Sequence, residues 1–250
     1  MENQHIAVWF SCGAASAVAA YKTLEMYGEK NKVSICNNLI ANEDEDNRRF
    51  LKDVENWLGV EIIQVQNPNY PSGDVNEVFN KTRFMSGIHG ASCTLHLKKK
   101  ARQEWENENK PDHTVLGFTV DEQNRHDRFI QTERDLLPVL IDAGITKQDC
   151  VHILQAYGIE LPRVYKMGLP NANCLGCVKA TSATYWNFIR KHYPEVYEER
   201  AVTSRDLGVR LARDKGNRVF LDELSPDATG APLKSLDFEC GLFCEEYKEL

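Results

Sequence analysis

Along the first 150 residues, apolar stretches alternate with segments whose apolar positions recur at helical spacing. His5-Ile6-Ala7-Val8-Trp9-Phe10 reads as a buried strand, and Ala14, Ala15, Ala17, Ala19 and Ala20 after it read as the opening of a helix packed closely on a sheet. Val33 to Ala41 predicts a second strand. Asn47 to Leu58 predicts a helix with Phe50, Val54, Trp57 and Leu58 on one side and Gly59 as its stop, and Val60 to Val65 predicts a third strand. Pro68 to Gly90 has no clear period and predicts a long surface connection, a candidate substrate lid. A helix is expected from Thr94 to about Asn109 and a strand from Thr114 to Phe118. Leu136 to Ile141 is short and apolar, and a helix opened by Thr146, with Asp149 in its first turn, is closed by Gly158.

Alternating strands and helices predict an α/β fold built on a doubly wound, mostly parallel five-stranded sheet with helices on both faces. From Pro162 the texture changes to Tyr165, Gly168, Pro170, a cysteine pair and an aromatic helix through Tyr185, Trp186, Phe188, Ile189 and Tyr193. The expected domains are therefore 1–160, the nucleotide-binding α/β part, and 161–250, a cysteine-clipped, mainly helical C-terminal subdomain. There is no internal repeat.

At 250 residues and 42% apolar content the chain can bury a real core. No run approaches the ~20 apolar residues that span a bilayer, and the N-terminus lacks the basic-then-apolar pattern of a signal peptide. The expectation is a cytoplasmic protein with no membrane partner; an oligomer is compatible with the sequence. A net charge of −7 argues against broad non-specific nucleic-acid binding. The strip Lys98-Lys99-Lys100 with Arg102 is either a local phosphate contact or a solvated helix face.

Three features carry candidate chemistry. Ser11-Cys12-Gly13-Ala14-Ala15-Ser16 joins a strand to a helix with residues small enough for backbone N–H groups to approach a phosphate, and the helix N-terminus adds roughly half a positive charge. The plainer reading is an ordinary βα turn. Asn42-Glu43-Asp44-Glu45-Asp46 falls at the carboxyl end of a strand, where open α/β sheets bind ligands, or else is a solvated loop. The third feature is cysteine. Eight cysteines in a reducing compartment point to metal ligands or redox groups rather than disulfides, with Cys36 and Cys150 read as structural. Cys174-x-x-Cys177 with Cys240-x-x-x-Cys244 has the two-plus-two spacing of a structural zinc site, and a [4Fe–4S] cluster fits as well. Reactive, unmetallated thiols are the alternative. Asp237, Glu239, Glu245 and Glu246 surround Cys240 and disfavour its thiolate unless a metal supplies positive charge.

Several blocks in order resemble one family. The first loop resembles the PP-loop, Ser-Gly-Gly-x-Asp-Ser, through Ser11, Gly13 and Ser16, with Cys12 where glycine is usual and Ala15 where the acidic residue that helps organise Mg²⁺ is usual. Gly117-Phe118-Thr119 with Glu122 and Arg125 resembles the Gly-x-x-x-x-Glu-x-x-Arg block of phosphoadenosine phosphosulfate (PAPS) reductases. Pro138-Val139-Leu140 before Ile145-Thr146-Lys147-Gln148-Asp149, and Ile159 to Gly168 running into Gly176-Cys177, resemble two further blocks. Ser92-Cys93-Thr94 with Leu97-Lys98 resembles a Cys-Thr-x-x-Leu-Lys block of sulfur-transfer relatives. Glu239-Cys240-Gly241-Leu242-Phe243 resembles the reductase's Glu-Cys-Gly-Leu-His, with phenylalanine in place of histidine. Over residues 5–180 the chain thus resembles the PAPS reductase-like family of the PP-loop adenine-nucleotide hydrolase-like superfamily, in its phage-type form.

The resemblance implies an enzyme of nucleotide-dependent sulfur chemistry. ATP or PAPS would be held by Ser11, Cys12, Gly13, Ala14, Ala15 and Ser16 together with Asn42, Gly117, Thr119, Glu122, Arg125 and Lys98. Cys93 and Cys240 would be catalytic, and Cys174, Cys177, Cys240 and Cys244 would hold a [4Fe–4S] cluster or Zn²⁺. An ATP-dependent sulfurtransferase would act on an adenylated nucleobase or tRNA acceptor with a sulfur donor, whereas a true PAPS reductase would release sulfite to a thioredoxin-like reductant. A non-enzymatic alternative is a nucleotide-binding interaction module with a structural metal.

Overall fold

A computed structural model describes residues 1–87, 90–131 and 135–236. The chain divides into two compact units: Met1–Leu39, Glu45–Val65 and Arg102–Arg163 form the first, and Ile40–Asp44, Gln66–Ala101 and the chain from Val164 form the second.

The first unit is built on five parallel strands, β1 (His5–Trp9), β2 (Lys32–Asn38), β3 (Ile62–Val65), β4 (His113–Val115) and β5 (Leu136–Leu137), in the order β3-β2-β1-β4-β5. Every residue of β1 is buried, as a central parallel strand requires. Ile6 is paired with Val33 and His113, and Val8 with Ile35 and Val115. With side chains alternating across the pleat, Ile6, Val8, Phe10, Ile35 and Val115 share a core with Ala17, Val18 and Ala20 of helix α1 (Ala14–Tyr27) and with Phe50 and Val54 of helix α2 (Asp46–Leu58). His5 and Trp9 face the other way. Trp105 of the helix Ala101–Asn109 meets the Trp9 ring edge-on at 5.8 Å, and Trp9 Nε1 donates to Glu106 Oε1 at 3.1 Å. Helices therefore cover both faces, and the sheet is wholly rather than mostly parallel.

Local chemistry sets the helix ends. Gly59 closes α2 in the left-handed conformation at φ 66°. Thr146 and Asp149 form a reciprocal capping box at the start of helix Lys147–Ala156. At the other end of α2, Arg49 grips both oxygens of Asp46 at 2.7 and 2.8 Å, reaches Asp53 at 2.6 Å, and donates to the carbonyls of Glu160 and Leu161. The N–H of Arg163 donates to Asp46 Oδ2 at 2.7 Å, so one carboxylate pins the 160–163 segment to α2.

The second unit has its own core of Phe79, Met85, Tyr185, Trp186 and Ile189. Tyr70, Val75, Val78, Phe79 and Met85 contribute to it, which corrects the surface connection expected over 68–90. Helix Val75–Thr82, N-capped by Asp74, buries Val75, Val78 and Phe79, and Tyr70 and Met85 are buried beside it. Eight residues are too few for the helical period to emerge from the sequence around them. The helix expected from Thr94 starts as a seven-residue π-helix, Thr94–Lys100, and becomes α-helical at Ala101. No described helix is long and apolar enough to cross a membrane.

Arg49, with the Arg163 N–H adding to it, holds the Asp46 carboxyl below the usual carboxylate range against the opposing effect of partial burial. A carboxyl depressed in the folded state stabilises above its unfolded pKa, about 3.9 for aspartate, and loses that contribution as pH falls through the folded value. Asp46→Asn is accordingly expected to lower stability by about 1 kcal/mol at pH 7 in urea unfolding, with the gap between the two proteins shrinking as pH falls below the unfolded value. A gap that persisted undiminished in acid would contradict this role.

Candidate functional site

The order β3-β2-β1-β4-β5 reverses direction between β1 and β4, so the connections leaving these two neighbours run to opposite sides and open a crevice at their carboxyl ends. The Ser11–Ser16 loop leaves β1 at this point and Gly117 follows β4. Phe10 is still in register, its N–H donating to Cys36 O at 2.8 Å. Cys12 then turns the chain with φ 55°, the left-handed conformation that glycine adopts freely and that costs other residues about 1–2 kcal/mol. That backbone demand explains why the PP-loop pattern carries glycine here. Asn37 of β2 braces the turn, its Nδ2 donating to Phe10 O at 2.8 Å and lying 3.6 Å from Cys12 Sγ.

Ser16 closes the loop on itself. Its hydroxyl donates to Gly13 O at 3.0 Å and accepts from Ser11 N–H at 3.1 Å, and Ser11 Oγ lies 3.2 Å away. Ser16 thereby shapes the cradle, while Ser11 is the exposed hydroxyl at its rim. Gly13 is the N-cap of α1 and supplies no side chain, and the first turn contains no acidic residue, so the positive end of the helix dipole faces the loop unopposed from within. Gly117 packs against this turn with no room for a side chain: a Cβ would fall 2.8 Å from Ser16 N, 2.9 Å from Ser16 Cα and 3.0 Å from Ala15 C. Ala14 and Ala15 complete the turn.

The block after Gly117 forms one connected structure. Thr119, fully buried, has its N–H and hydroxyl each 3.4 Å from Glu122 Oε2, and Arg125 donates to Glu122 Oε1 at 2.9 Å while its guanidinium lies 5.1 Å over the Phe118 ring. Asp121 Oδ2 accepts from Lys147 N–H at 2.7 Å and ties the block to the following helix. Arg125 is thus a cation held by Glu122 and by the Phe118 ring.

The remaining predicted residues belong to the second unit. Asn42 Oδ1 accepts from Val75 N–H at 2.8 Å, its Nδ2 donates to Asp74 Oδ1 at 3.1 Å, and its carbonyl accepts from Leu175 N–H at 2.9 Å. These bonds anchor the 40–44 segment to helix Val75–Thr82 and to the cysteine turn. Cys93 is partly exposed at the N-cap of the π-helix, and Lys98 on that helix is only 8% exposed, not on a solvated face. Seven consecutive residues of π-helix are rare and often mark functional sites. Cys174 and Cys177 are each 7% exposed on one tight turn, with Gly176 between them at φ 64°. Cys177 N–H donates to Tyr185 Oη at 2.9 Å. The Tyr185 phenol is pushed well above its ordinary value, first by burial and then by the neighbouring Cys177 and Cys174, with Arg200 opposing. Cys240 and Cys244 lie outside the described residues, and among the described residues no group of three or more His, Cys, Asp and Glu could hold a metal ion.

Cys36 and Cys150 are fully buried, and burial above all pushes each thiol up to about 12, consistent with small hydrophobes rather than reactive groups. Arg200 went unnoticed in the sequence. It is fully buried on helix Pro194–Asp206, and the signal was available in the spacing of Tyr197, Arg200, Ala201 and Ser204, which places the arginine on the buried stripe.

No protein-family profile and no curated protein matches the chain. Similar solved structures include the U34-tRNA thiolase NcsA from Methanococcus maripaludis with its [4Fe-4S] cluster, at 13% identity over 83% of this chain and 72% of that one, TM-score 0.47. They also include phosphoadenylyl-sulfate (PAPS) reductase from Candida auris in a phosphate complex, at 7% identity over 68% of this chain and 80% of that one, TM-score 0.48. At that identity and overlap, neither neighbour assigns a role to a residue of this chain.

Gly117→Ala isolates the close approach. An added methyl forced against backbone is expected to cost about 1–3 kcal/mol in urea unfolding, as overpacking does. A variant as stable as the wild type would show that the loop is not held there.

Proposed function

We propose that the protein binds an adenine nucleotide, ATP or PAPS, on the loop between β1 and α1 and couples it to sulfur chemistry at a cysteine centre, as a PAPS reductase-like PP-loop protein. The observation that carries this reading is the position of the Ser11–Ser16 loop at the switch point of the sheet, with Gly117 packed against its helical turn. Phosphate oxygens would accept from backbone N–H groups and from the Ser11 hydroxyl, and Arg125 would offset their charge.

In the sulfurtransferase form, an acceptor carbonyl oxygen, on a nucleobase or tRNA, attacks the α-phosphorus of ATP and pyrophosphate leaves. A sulfide-level sulfur donor then adds to the activated carbon, and AMP departs with the oxygen. In the reductase form, a cysteine thiolate such as that of Cys240 takes the sulfonate of PAPS, releasing adenosine 3′,5′-bisphosphate, and a thioredoxin-like dithiol discharges sulfite while becoming a disulfide. Products distinguish the two: AMP with pyrophosphate, or the bisphosphate with sulfite. The absence of an acidic residue from the first turn of α1, where Ala15 stands, favours a third reading in which the loop binds nucleotide without turning it over.

Cys174 and Cys177 offer two thiolates on one turn, whose Gly176 carbonyl accepts from Arg200 Nε, and a metal centre there would be completed by further cysteines, with Cys240 and Cys244 the candidates from spacing. A [4Fe–4S] cluster there would supply a sulfide-binding iron, and Zn²⁺ would supply a structural clip.

Ser11→Ala is expected to weaken ATP or PAPS binding roughly 10- to 100-fold by calorimetry, the worth of one hydrogen bond to a charged oxygen, with the fold intact. Equal affinity would remove the hydroxyl from the site. Cys177→Ser is expected to lose bound iron or zinc by elemental analysis of anaerobically purified protein and to unfold at lower temperature. Full metal stoichiometry in that variant would exclude Cys177 as a ligand.

A further inference from the structure

The hairpin of β6 (Ala212–Asp214) and β7 (Asn217–Val219) in the second unit breaks two local rules, both in favour of positive charge. Arg213 stands directly opposite Arg218 in the antiparallel register, and like charges so placed destabilise a strand pair. The two-residue turn holds Lys215 at φ 47° and Gly216 at φ 85°. A turn with both central residues left-handed favours Asn or Asp before the glycine, and a lysine there carries strain that those residues avoid. Arg210, just before the hairpin, adds a further cation. Arg210, Arg213, Lys215 and Arg218 are all exposed, and the only carboxylate between residues 210 and 218 is that of Asp214, in a chain of net charge −7.

Other arginines of this unit are matched with carboxylates: Arg83 with Asp206, and Arg205 with Asp222 and Glu223. Among the described residues, none of the four cations around the hairpin has a carboxylate at ion-pair distance. Two of them are nevertheless held in place. Arg218 Nη1 donates to Leu211 O at 3.0 Å, and the Arg210 guanidinium lies 4.8 Å over the Phe220 ring. Burial first, then the neighbouring Arg213, pulls the Arg218 guanidinium below its ordinary value, although it stays charged. Asp214 and Asn217 share a face of the ribbon with the buried Ala212, so Arg213 and Arg218 occupy the outward face together.

We infer that this hairpin is a docking surface for the phosphodiester backbone of a nucleic acid. Local rules broken without compensation inside the fold point to a partner outside it. Guanidinium forks match phosphate oxygens bidentately, and a two-stranded ribbon is an element with which proteins engage nucleic acids. The tip, Asp214-Lys215-Gly216-Asn217, has no apolar side chain to enter a membrane surface or to form the apolar core of a protein interface. A net charge of −7 removes diffuse attraction to polyanions and concentrates contact at this surface. The hairpin belongs to the second unit and the loop after β1 to the first, so the inference stands or falls apart from the proposed function.

The test measures binding of the full chain to labelled oligouridylate, oligothymidylate and a DNA duplex of equal length, by fluorescence anisotropy across a salt series. On the single strands, wild-type affinity is expected to fall with salt at a logarithmic slope of about −3, four cations at about 0.7 each. The double variant Arg213→Thr, Lys215→Asn is expected to bind at least about tenfold more weakly at low salt, with a slope shallower by about 1.4. Threonine suits a strand and asparagine suits the left-handed turn, so this variant is expected to unfold at no lower urea concentration than the wild type. The ligand bound most tightly identifies the source as RNA, single-stranded DNA or duplex. Unchanged affinity in the folded double variant would overturn the inference, as would a wild type that binds none of the three. Polyglutamate or phosphatidylserine vesicles bound more tightly than every oligonucleotide would overturn it too, in favour of an acidic protein or a membrane. Should the double variant not fold, the wild-type slope decides: a value near zero contradicts backbone contact, and one of about −3 supports it.

Discussion

The packing of Gly117 against the first turn of α1 is the constraint from which the geometry of the first unit's site follows. A parallel sheet that reverses its order at β1 and β4 opens a crevice wherever it does so. What the crevice can hold depends on the turn that faces it, and this turn is fixed from several sides. The strained backbone of Cys12 sets its direction, Asn37 braces its start, Ser16 ties its two ends together, and Gly117 leaves no space into which it can relax. About 1–2 kcal/mol of backbone strain at Cys12 persists because these contacts over-determine the loop. The result is a set of small residues at the positive end of a 14-residue helix.

The second unit is organised around charge. Asn42 binds the 40–44 segment to both the helix Val75–Thr82 and the cysteine turn, so its role in the structure is to hold that turn, whatever it contributes to a ligand. Arg200 approaches from helix Pro194–Asp206 through the gap that Gly176 leaves. Buried lysine and arginine side chains are rare because desolvation is costly, and this unit contains Lys98 as well as Arg200. Buried cations in a chain of net charge −7 are placed by local need and not by overall balance.

Much of the first unit was legible in the sequence because its signals are local. A continuous apolar run marks β1, Gly59 stops α2, and Thr146 with Asp149 spells its own capping box. The tight turn from β1 into α1 could be read from its small residues alone. Its position at the switch point could not, since that depends on β4 pairing with β1 across a separation of more than 100 residues. Residues 68–90 were misread for a related reason: helix Val75–Thr82 is short, and Tyr70 and Met85 are buried by partners distant in sequence. Arg200 shows the complementary limit. The stripe Tyr197, Arg200, Ala201, Ser204 signals burial, but a charged residue in a polar helix reads as solvated until its bonds to Gly176 O and Asn76 Oδ1 can be seen.

The most direct test of the account is amide hydrogen exchange of the full-length protein with and without saturating ATP or PAPS. Bound phosphates that accept from the backbone of the loop should slow exchange across residues 11–17 and 116–120, the two segments that flank the crevice, beyond any change elsewhere in the first unit. Saturable nucleotide binding that left both segments unprotected, or protected only a distant surface, would contradict the assignment of the loop as the nucleotide site.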